Sequence, residues 1–195
     1  AKRIHRLIED LLSLSQIEMI EHHSPTDLTD ILAVIDGALE DLHWQTKNAD
    51  TRITLDSQTQ RIHVAADPFS LRRAFLNVLD NAIKYVGSEV TISVAQSDDS
   101  HPEKKVIVKI SDNGPGIPEE HLGRLTERFY RVDKARSRSL GGTGLGLAIV
   151  KHIVHRHQGE LSISSQQGAG TSVLITLPIL ETQENNDAVN TATKT

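Results

Sequence analysis

Residues 141–151 read GGTGLGLAIVK, four glycines in six positions that run straight into an apolar, helix-like stretch. Glycine at this density costs backbone entropy, so the backbone itself is expected to come close to a ligand. A dinucleotide fingerprint needs G-x-G-x-x-G directly after a strand. Here the spacing is G-x-G-x-G at Gly142, Gly144 and Gly146, and a basic loop precedes it. No Gly-Lys-Ser/Thr ending follows, which excludes the usual P-loop. What remains is the general property of a helix start, unpaired amides and about half a positive charge. Gly144 and Gly146 would let phosphate oxygens reach those amides. Taken alone, the stretch reads equally as a glycine hinge without ligand.

The segment just upstream, RFYRVDKARSRSLGG, crowds Arg128, Arg131, Lys134, Arg136 and Arg138 into a run without periodicity. It reads as a solvated basic loop or as a mobile flap whose cations meet polyphosphate. Further upstream, DNGPGIP (112–118) follows a strand pattern. Asp-Asn-Gly is a turn signal, yet two glycines with two prolines make a rigid loop of unusual shape. A carboxylate at Asp112 would accept from the exocyclic amine of adenine and repel the oxygen guanine carries there. In PFSLRRAFLNVLDNAIKYV (68–86), Leu71, Phe75, Val78, Leu79, Ala82 and Val86 share one face, and Asn77, Asn81 and Lys84 line the opposite one. Asparagine is a poor helix former. The face is either plain solvated surface or an oxygen-rich patch for magnesium, with a lysine for a phosphate.

The elements between these motifs follow from pattern. Ile4, Leu7, Ile8, Leu11, Leu14 (or Leu12) and Ile17 recur at helical steps, suited to packing on the same domain or to a dimeric bundle. HHSPTD breaks that helix, and Thr26 or Asp27 is placed to cap a second one over 28–46, with Ile31, Ile35, Leu39 and Leu42 on one face. TRITLD and RIHVAAD read as a hairpin pair. Asp67-Pro68 opens the helix that runs to about Tyr85. EVTISVAQ and KKVIVKISD are strands, Thr143 to His157 is helix, and GELSISSQ with GTSVLITLP closes a strand pair. The tail from Glu181 has no apolar spacing and reads as disordered. Paired strands with helices laid on one face predict an α+β sandwich rather than a doubly wound parallel sheet. Among 195 residues, 37% are hydrophobic, 24% charged and none is cysteine, so a disulfide framework and thiolate metal sites are excluded. A net charge of -5 gives no reason to expect nucleic acid as a partner. No signal peptide is visible and no run approaches the length of a membrane span, and the abrupt start inside a helix suggests a piece of something longer.

In order and spacing, these motifs resemble the ATP-binding catalytic domain of bacterial sensor histidine kinases. NVLDNAIKY is similar to the asparagine box, DNGPGIP to the first glycine box, RFYRVD to the phenylalanine box, GGTGLGLAIVK to the second glycine box and GAGTSVLITLP to the closing glycine motif. The stretch from Glu127 to Val154 is especially similar to the phosphate-responsive kinases, and RLIEDLLSLSQIE to the second helix of the dimerisation and phosphotransfer hairpin. The resemblance implies a Bergerat-type sandwich with ATP beneath a flexible lid, in a chain divided as hairpin helix (1–23), catalytic domain (24–180) and tail (181–195). It implies that Asn81 holds Mg2+ with support from Asn77, that Lys84 and Tyr85 lie near the phosphates and nucleoside, and that Asp112 takes the adenine amine beside Gly114, Gly116 and Ile117. Arg131 and Lys134 would reach the phosphates. Gly142, Thr143, Gly144, Leu145, Gly146 and Leu147 would cap them with backbone amides, and Thr171 would complete the pocket.

In related ATPases such as gyrase B and the ninety-kilodalton chaperones, a glutamate one turn before the magnesium asparagine activates water. Asn77 stands there and cannot take a proton at neutral pH, which favours transfer to an outside nucleophile over hydrolysis. Asp80, about 100° around the helix from Asn81, is the less suited base. None of the ten histidines lies in the family's phosphoacceptor motif. The expectation is ATP binding without autophosphorylation by the usual route, poor dimerisation of the hairpin half, and phosphate passed to a separate acceptor hairpin and on to a response regulator. The expected place is the cytoplasm, with the full-length protein anchored in the inner membrane. A protein serine kinase of the same superfamily and a non-catalytic interaction module are the other readings; the acid lability of the product and nucleotide calorimetry separate the three.

Overall fold

The structure, a computed structural model, describes residues 2–19, 25–45, 51–57, 61–85, 88–97, 104–133 and 142–180. Val86, Lys134, Arg136, Arg138, the first part of the linker (22–24) and the tail from Glu181 lie outside the described residues. In chain order the elements are α1 (Lys2–Met19), β1 (Leu28–Asp30), α2 (Ile31–Gln45), β2 (Arg52–Ser57), β3 (His63–Ala65) and α3 (Pro68–Tyr85). They continue with β4 (Glu89–Gln96), β5 (Lys105–Asp112), α4 (Glu119–Leu122), α5 (Gly146–Arg156), β6 (Glu160–Gln166) and β7 (Gly170–Pro178).

Strict alternation builds the sheet. Val90, Ile92 and Val94 of β4, Val106, Val108 and Ile110 of β5, and Val173, Ile175 and Leu177 of β7 are all buried, one face of three neighbouring strands. The order is β2-β4-β5-β7-β6. All neighbours are antiparallel except β2 and β4, which run parallel. α3 packs between α2 and α5 and reaches β5, so the helices form a second layer on the apolar face. Burial of Leu71, Ala74, Phe75, Val78, Leu79 and Ala82 fixes which way α3 is turned. Its start is set locally: Asp67 Oδ1 accepts from Phe69 N–H at 3.1 Å, its Oδ2 accepts from the Ser70 hydroxyl at 2.5 Å, and Pro68 opens the first turn. Buried His157 ties this start to the end of α5. Its Nε2 accepts from Asp67 N–H at 3.0 Å and its Nδ1 donates to the Ile153 carbonyl at 2.7 Å. Burial lowers the imidazole's pKa, as the acceptor role at Nε2 requires.

Three expectations are corrected. The stretches 51–56 and 61–67 do not pair as a hairpin: β2 joins β4 in parallel, whereas β3 pairs antiparallel with β1 in a separate two-stranded sheet. Leu28–Asp30 is that strand β1 rather than helix, and Asp30, not Thr26 or Asp27, caps α2 by accepting from Leu32 N–H at 3.0 Å. α5 begins at Gly146 rather than Thr143, because Gly144 takes φ +76°, outside the right-handed helical region. The stripe on α1 divides. Leu14 is buried and Leu7 packs against the core. Ile4, Ile8, Leu11 and Leu12 are exposed. Among the described residues no helix is long and apolar enough to cross a membrane.

Candidate functional site

A cleft of about 450 Å³ opens beside α3, between the loop after β5 and the loop before α5. The sequence motifs, up to 94 residues apart between Asn77 and Thr171, converge on it.

One wall belongs to the sheet. Asp112 closes β5, and its Oδ1 accepts from Gly114 N–H at 2.9 Å and from Thr171 N–H at 3.2 Å. Oδ2 accepts no hydrogen bond among the described residues. The carboxyl is half-buried. Desolvation pushes its pKa above the usual carboxylate value, and the two amides partly offset that. Two glycines let the chain fold this closely. A Cβ on Gly170 (φ +93°) would sit 1.9 Å from the Asp112 carbonyl oxygen, and one on Gly116 (φ +69°) 2.0 Å from that of Gln166. Ile117 N–H donates to Ser165 Oγ at 2.8 Å, and that hydroxyl lies 2.9 Å from Thr171 Oγ1, which pins the loop to the β6–β7 hairpin.

α3 supplies the second wall with Asn77, Asn81, Lys84 and Tyr85. The Asn77 Nδ2 is buried without a hydrogen-bond partner, and a Cβ on Gly146 would lie 3.4 Å from its Oδ1. Such an orphaned amide is costly unless a ligand satisfies it. Lys84 is ion-paired with Asp80 one turn earlier, and both line the cleft. Asp80 is therefore not turned away from the site, but its carboxylate is engaged by the lysine.

The third wall is the glycine loop. Gly144 takes φ +76°, its carbonyl accepts from Phe129 N–H at 2.8 Å, and the Arg131 guanidinium donates to the Gly142 carbonyl at 2.5 Å. Thr143 is buried, and its hydroxyl donates to Asp10 Oδ2 of α1 at 2.7 Å, while Arg73 reaches Asp10 Oδ1 at 3.3 Å. Gly146 and Leu147 line the cleft at the start of α5, where the first amides have no intrahelical acceptor. Two expected residues act from behind the lining. Gly114 contributes its amide to Asp112, and Leu145 is wholly buried in the core. Sequence reasoning missed Glu9, Asp10, Arg73 and Tyr130, which also line the cleft. A signal was present for one of them: Asp10 falls three residues after Leu7 and four before Leu14, on the docked side of α1.

A helix-covered mixed sheet of this order, with a cleft walled by an aspartate-glycine loop, an asparagine helix and a glycine-rich helix start, defines an ATP-binding domain of the Bergerat type. Residues 66–181 match the family model of the histidine kinase-, DNA gyrase B- and HSP90-like ATPases. The sensor protein kinase WalK of Staphylococcus saprophyticus is 36% identical over 186 residues, covering 95% of this chain and 30% of that protein. The sensor histidine kinase WalK of Bacillus subtilis is 34% identical over 187 residues, again 95% of this chain and 30% of that protein. Among solved structures, the mycobacterial sensor histidine kinase MprB is 34% identical, superposes with a TM-score of 0.66, and covers 79% of this chain and 97% of that one. The chain belongs to the histidine kinase-type ATPases, as the ATP-binding catalytic module of a two-component sensor kinase.

Proposed function

We propose that the cleft binds ATP with its adenine on Asp112 and its phosphates at the glycine loop, and that the γ-phosphate passes to a histidine on a separate helix. The observation that carries this reading is the saturation of Asp112. Two backbone amides occupy Oδ1, and Oδ2 remains for one donor, the complement of an exocyclic amine. Guanine would present an oxygen there and be repelled. Tyr85, Ile117 and Thr171 line the same cleft and supply the nucleoside's surroundings. At the other walls, Gly142, Thr143, Gly144, Gly146 and Leu147 bring main-chain amides, and Arg131 and Lys84 bring charge that ATP would draw from their present partners.

Magnesium fits the donor set as a weakly held partner of the nucleotide. Among the described residues no group of three His, Cys, Asp or Glu could hold a metal alone. Asn81 offers a side-chain oxygen to a hydrated ion that phosphate oxygens complete, and the orphaned Asn77 Nδ2, an N–H donor, would give to a phosphate or water oxygen beside it rather than to the ion. Bound there, it would neutralise charge on the phosphates. Neither asparagine can act as a base, so the site suits transfer to an outside nucleophile better than water activation. The proposal extends to the organisation of the whole protein: a hairpin helix over 1–23, the catalytic domain over 24–180 and a tail over 181–195. Its partners would be an acceptor hairpin in a homodimer and a response regulator, on the cytoplasmic side of a membrane-anchored kinase.

Calorimetry of the chain with ATP and GTP tests the pocket. ATP is expected to bind with micromolar affinity, GTP far more weakly, and Asp112→Ala is expected to lose ATP while staying folded. Equal affinity for both nucleotides, or an unchanged Asp112→Ala, would remove Asp112 from the pocket. Incubation with labelled ATP and a supplied acceptor hairpin tests the chemistry: an acid-labile product supports histidine, an acid-stable one a hydroxyl acceptor.

A further inference from the structure

The stretch from α4 to the turn after it, residues 119–127, belongs to none of the motifs, yet it fixes a side chain that lines the cleft. The Tyr130 hydroxyl lies 2.7 Å from Nδ1 of His121. The guanidinium carbon of Arg124 stands 4.3 Å from the centre of the Tyr130 ring and is held there by Glu127, whose Oε2 accepts from Arg124 at 3.0 Å. The phenol is thus held at its polar tip and over one face. His121 Nε2 faces the Glu120 carboxylate at 3.9 Å. A proton on Nε2 leaves Nδ1 as the acceptor for the tyrosine hydroxyl.

Tyr130 is also coupled to the glycine loop through both chain neighbours. Phe129 N–H donates to the Gly144 carbonyl at 2.8 Å, and Arg131 donates to that of Gly142 at 2.5 Å. Phe129 holds φ +63°, a left-handed conformation that persists only where its surroundings over-determine it. The fit is close enough that a Cβ on Gly144 would sit 3.1 Å from the Tyr130 carbonyl oxygen.

We infer that His121 is a positioning residue for nucleotide binding. By accepting the hydroxyl proton of Tyr130 it sets that ring as a wall of the cleft, and through Phe129 and Arg131 it sets the pose of the glycine loop. This rests on the cleft being the ATP site. The test is a calorimetric ATP titration of the full chain with His121→Ala, Tyr130→Phe, the double variant and His121→Gln. Removing one hydrogen bond should weaken ATP binding about three- to tenfold in either single variant. The double variant should be no worse than the weaker single, since one bond is lost in all three. His121→Gln, which keeps an acceptor, should recover most of the loss. Losses that multiply in the double variant, affinity unchanged in both singles, or a glutamine no better than alanine would each overturn the assignment. Tyr130→Phe removes only a hydroxyl, so the result holds even where His121→Ala folds poorly. Wild-type protein that binds no ATP would overturn the nucleotide site itself, an outcome separate from a binding wild type with indifferent variants.

Discussion

The sheet wall and the loop wall of the cleft are held by different means. At the sheet wall, Asp112 and Thr171 face each other in the β5–β7 ladder, and backbone amides fix the carboxylate. At the loop wall, the residues from Gly142 to Gly144 hang on isolated contacts: the guanidinium of Arg131, the carboxylate of Asp10 and a single main-chain bond from Phe129, the neighbour of the tyrosine that His121 grips. A main-chain ladder is cooperative and opens only with the sheet, whereas each isolated contact can be lost singly. The sheet wall is therefore preset, and the loop wall can be adjusted from outside, including from α1.

The largest effect should come from Gly170→Ala. Its Cβ would fall 1.9 Å from the Asp112 carbonyl oxygen at a φ of +93°, so the β5–β7 wall cannot accept it without moving. A loss of about 3 kcal/mol is expected, read from the denaturant midpoint. An unchanged midpoint would mean that this wall yields as readily as the other.

Asp10→Ala addresses the loop wall. It leaves the buried Thr143 hydroxyl and the Arg73 guanidinium without their shared acceptor, at a cost of about 1–3 kcal/mol. Leu145 N–H donates to Thr143 Oγ1 at 3.3 Å, so its hydrogen exchange reports on the loop. Faster exchange at Leu145, with Gly114 unchanged, would confirm that the two walls loosen independently. Equal acceleration at both would dissolve the distinction.

The same contrast governs what could be read before the fold was known. α3 was legible because its signals are local: an Asp-Pro start, an apolar face and two unusual asparagines. Asp112 was legible because strand ends and turn residues announce themselves. The partner of β2 was not, since alternation tells which face is buried but not which strand lies alongside. β1 was hidden because three residues pair with β3 across more than thirty positions, against a local helical pattern. Asp10 and His121 escaped for the same reason. The helical spacing of Asp10 marks its face of α1 but not the threonine 133 residues away that it meets, and a histidine whose tyrosine sits in another turn has no sequence signature apart from the tertiary contact.

A smaller effect is expected from pH at the sheet wall. Burial raises the Asp112 pKa above 3.8, so the carboxylate takes up its proton at a higher pH than an exposed aspartate. Protonation would remove the acceptor that the proposed pocket offers to the adenine amine. ATP affinity should therefore fall as pH drops toward that raised value, by about tenfold for each unit below it. Asp112→Asn, titrated in parallel, cancels the protonation of ATP itself. A constant wild-type to Asn ratio across the acid range would show that Asp112 does not bear on the bound base.

The smallest effect sharpens the comparison from the loop side. Gly123 ends α4 at φ −63° and ψ −17°, ordinary right-handed values, and a Cβ there would meet nothing within 4 Å. Unlike Gly170, this glycine answers to no close approach. Gly123→Ala should leave every cleft contact intact and restrict only the unfolded chain, which raises stability by about 0.5 kcal/mol. The readout is a slightly higher denaturant midpoint with ATP affinity unchanged. If affinity rose with stability, the turn between His121 and Arg124 would be mobile enough in the wild type to limit binding, and stiffening it would have moved the loop wall toward the preset behaviour of the sheet wall. If stability fell instead, Gly123 would be needed for a conformation other than the one described, and the His121–Tyr130 bond would have to form within that second conformation.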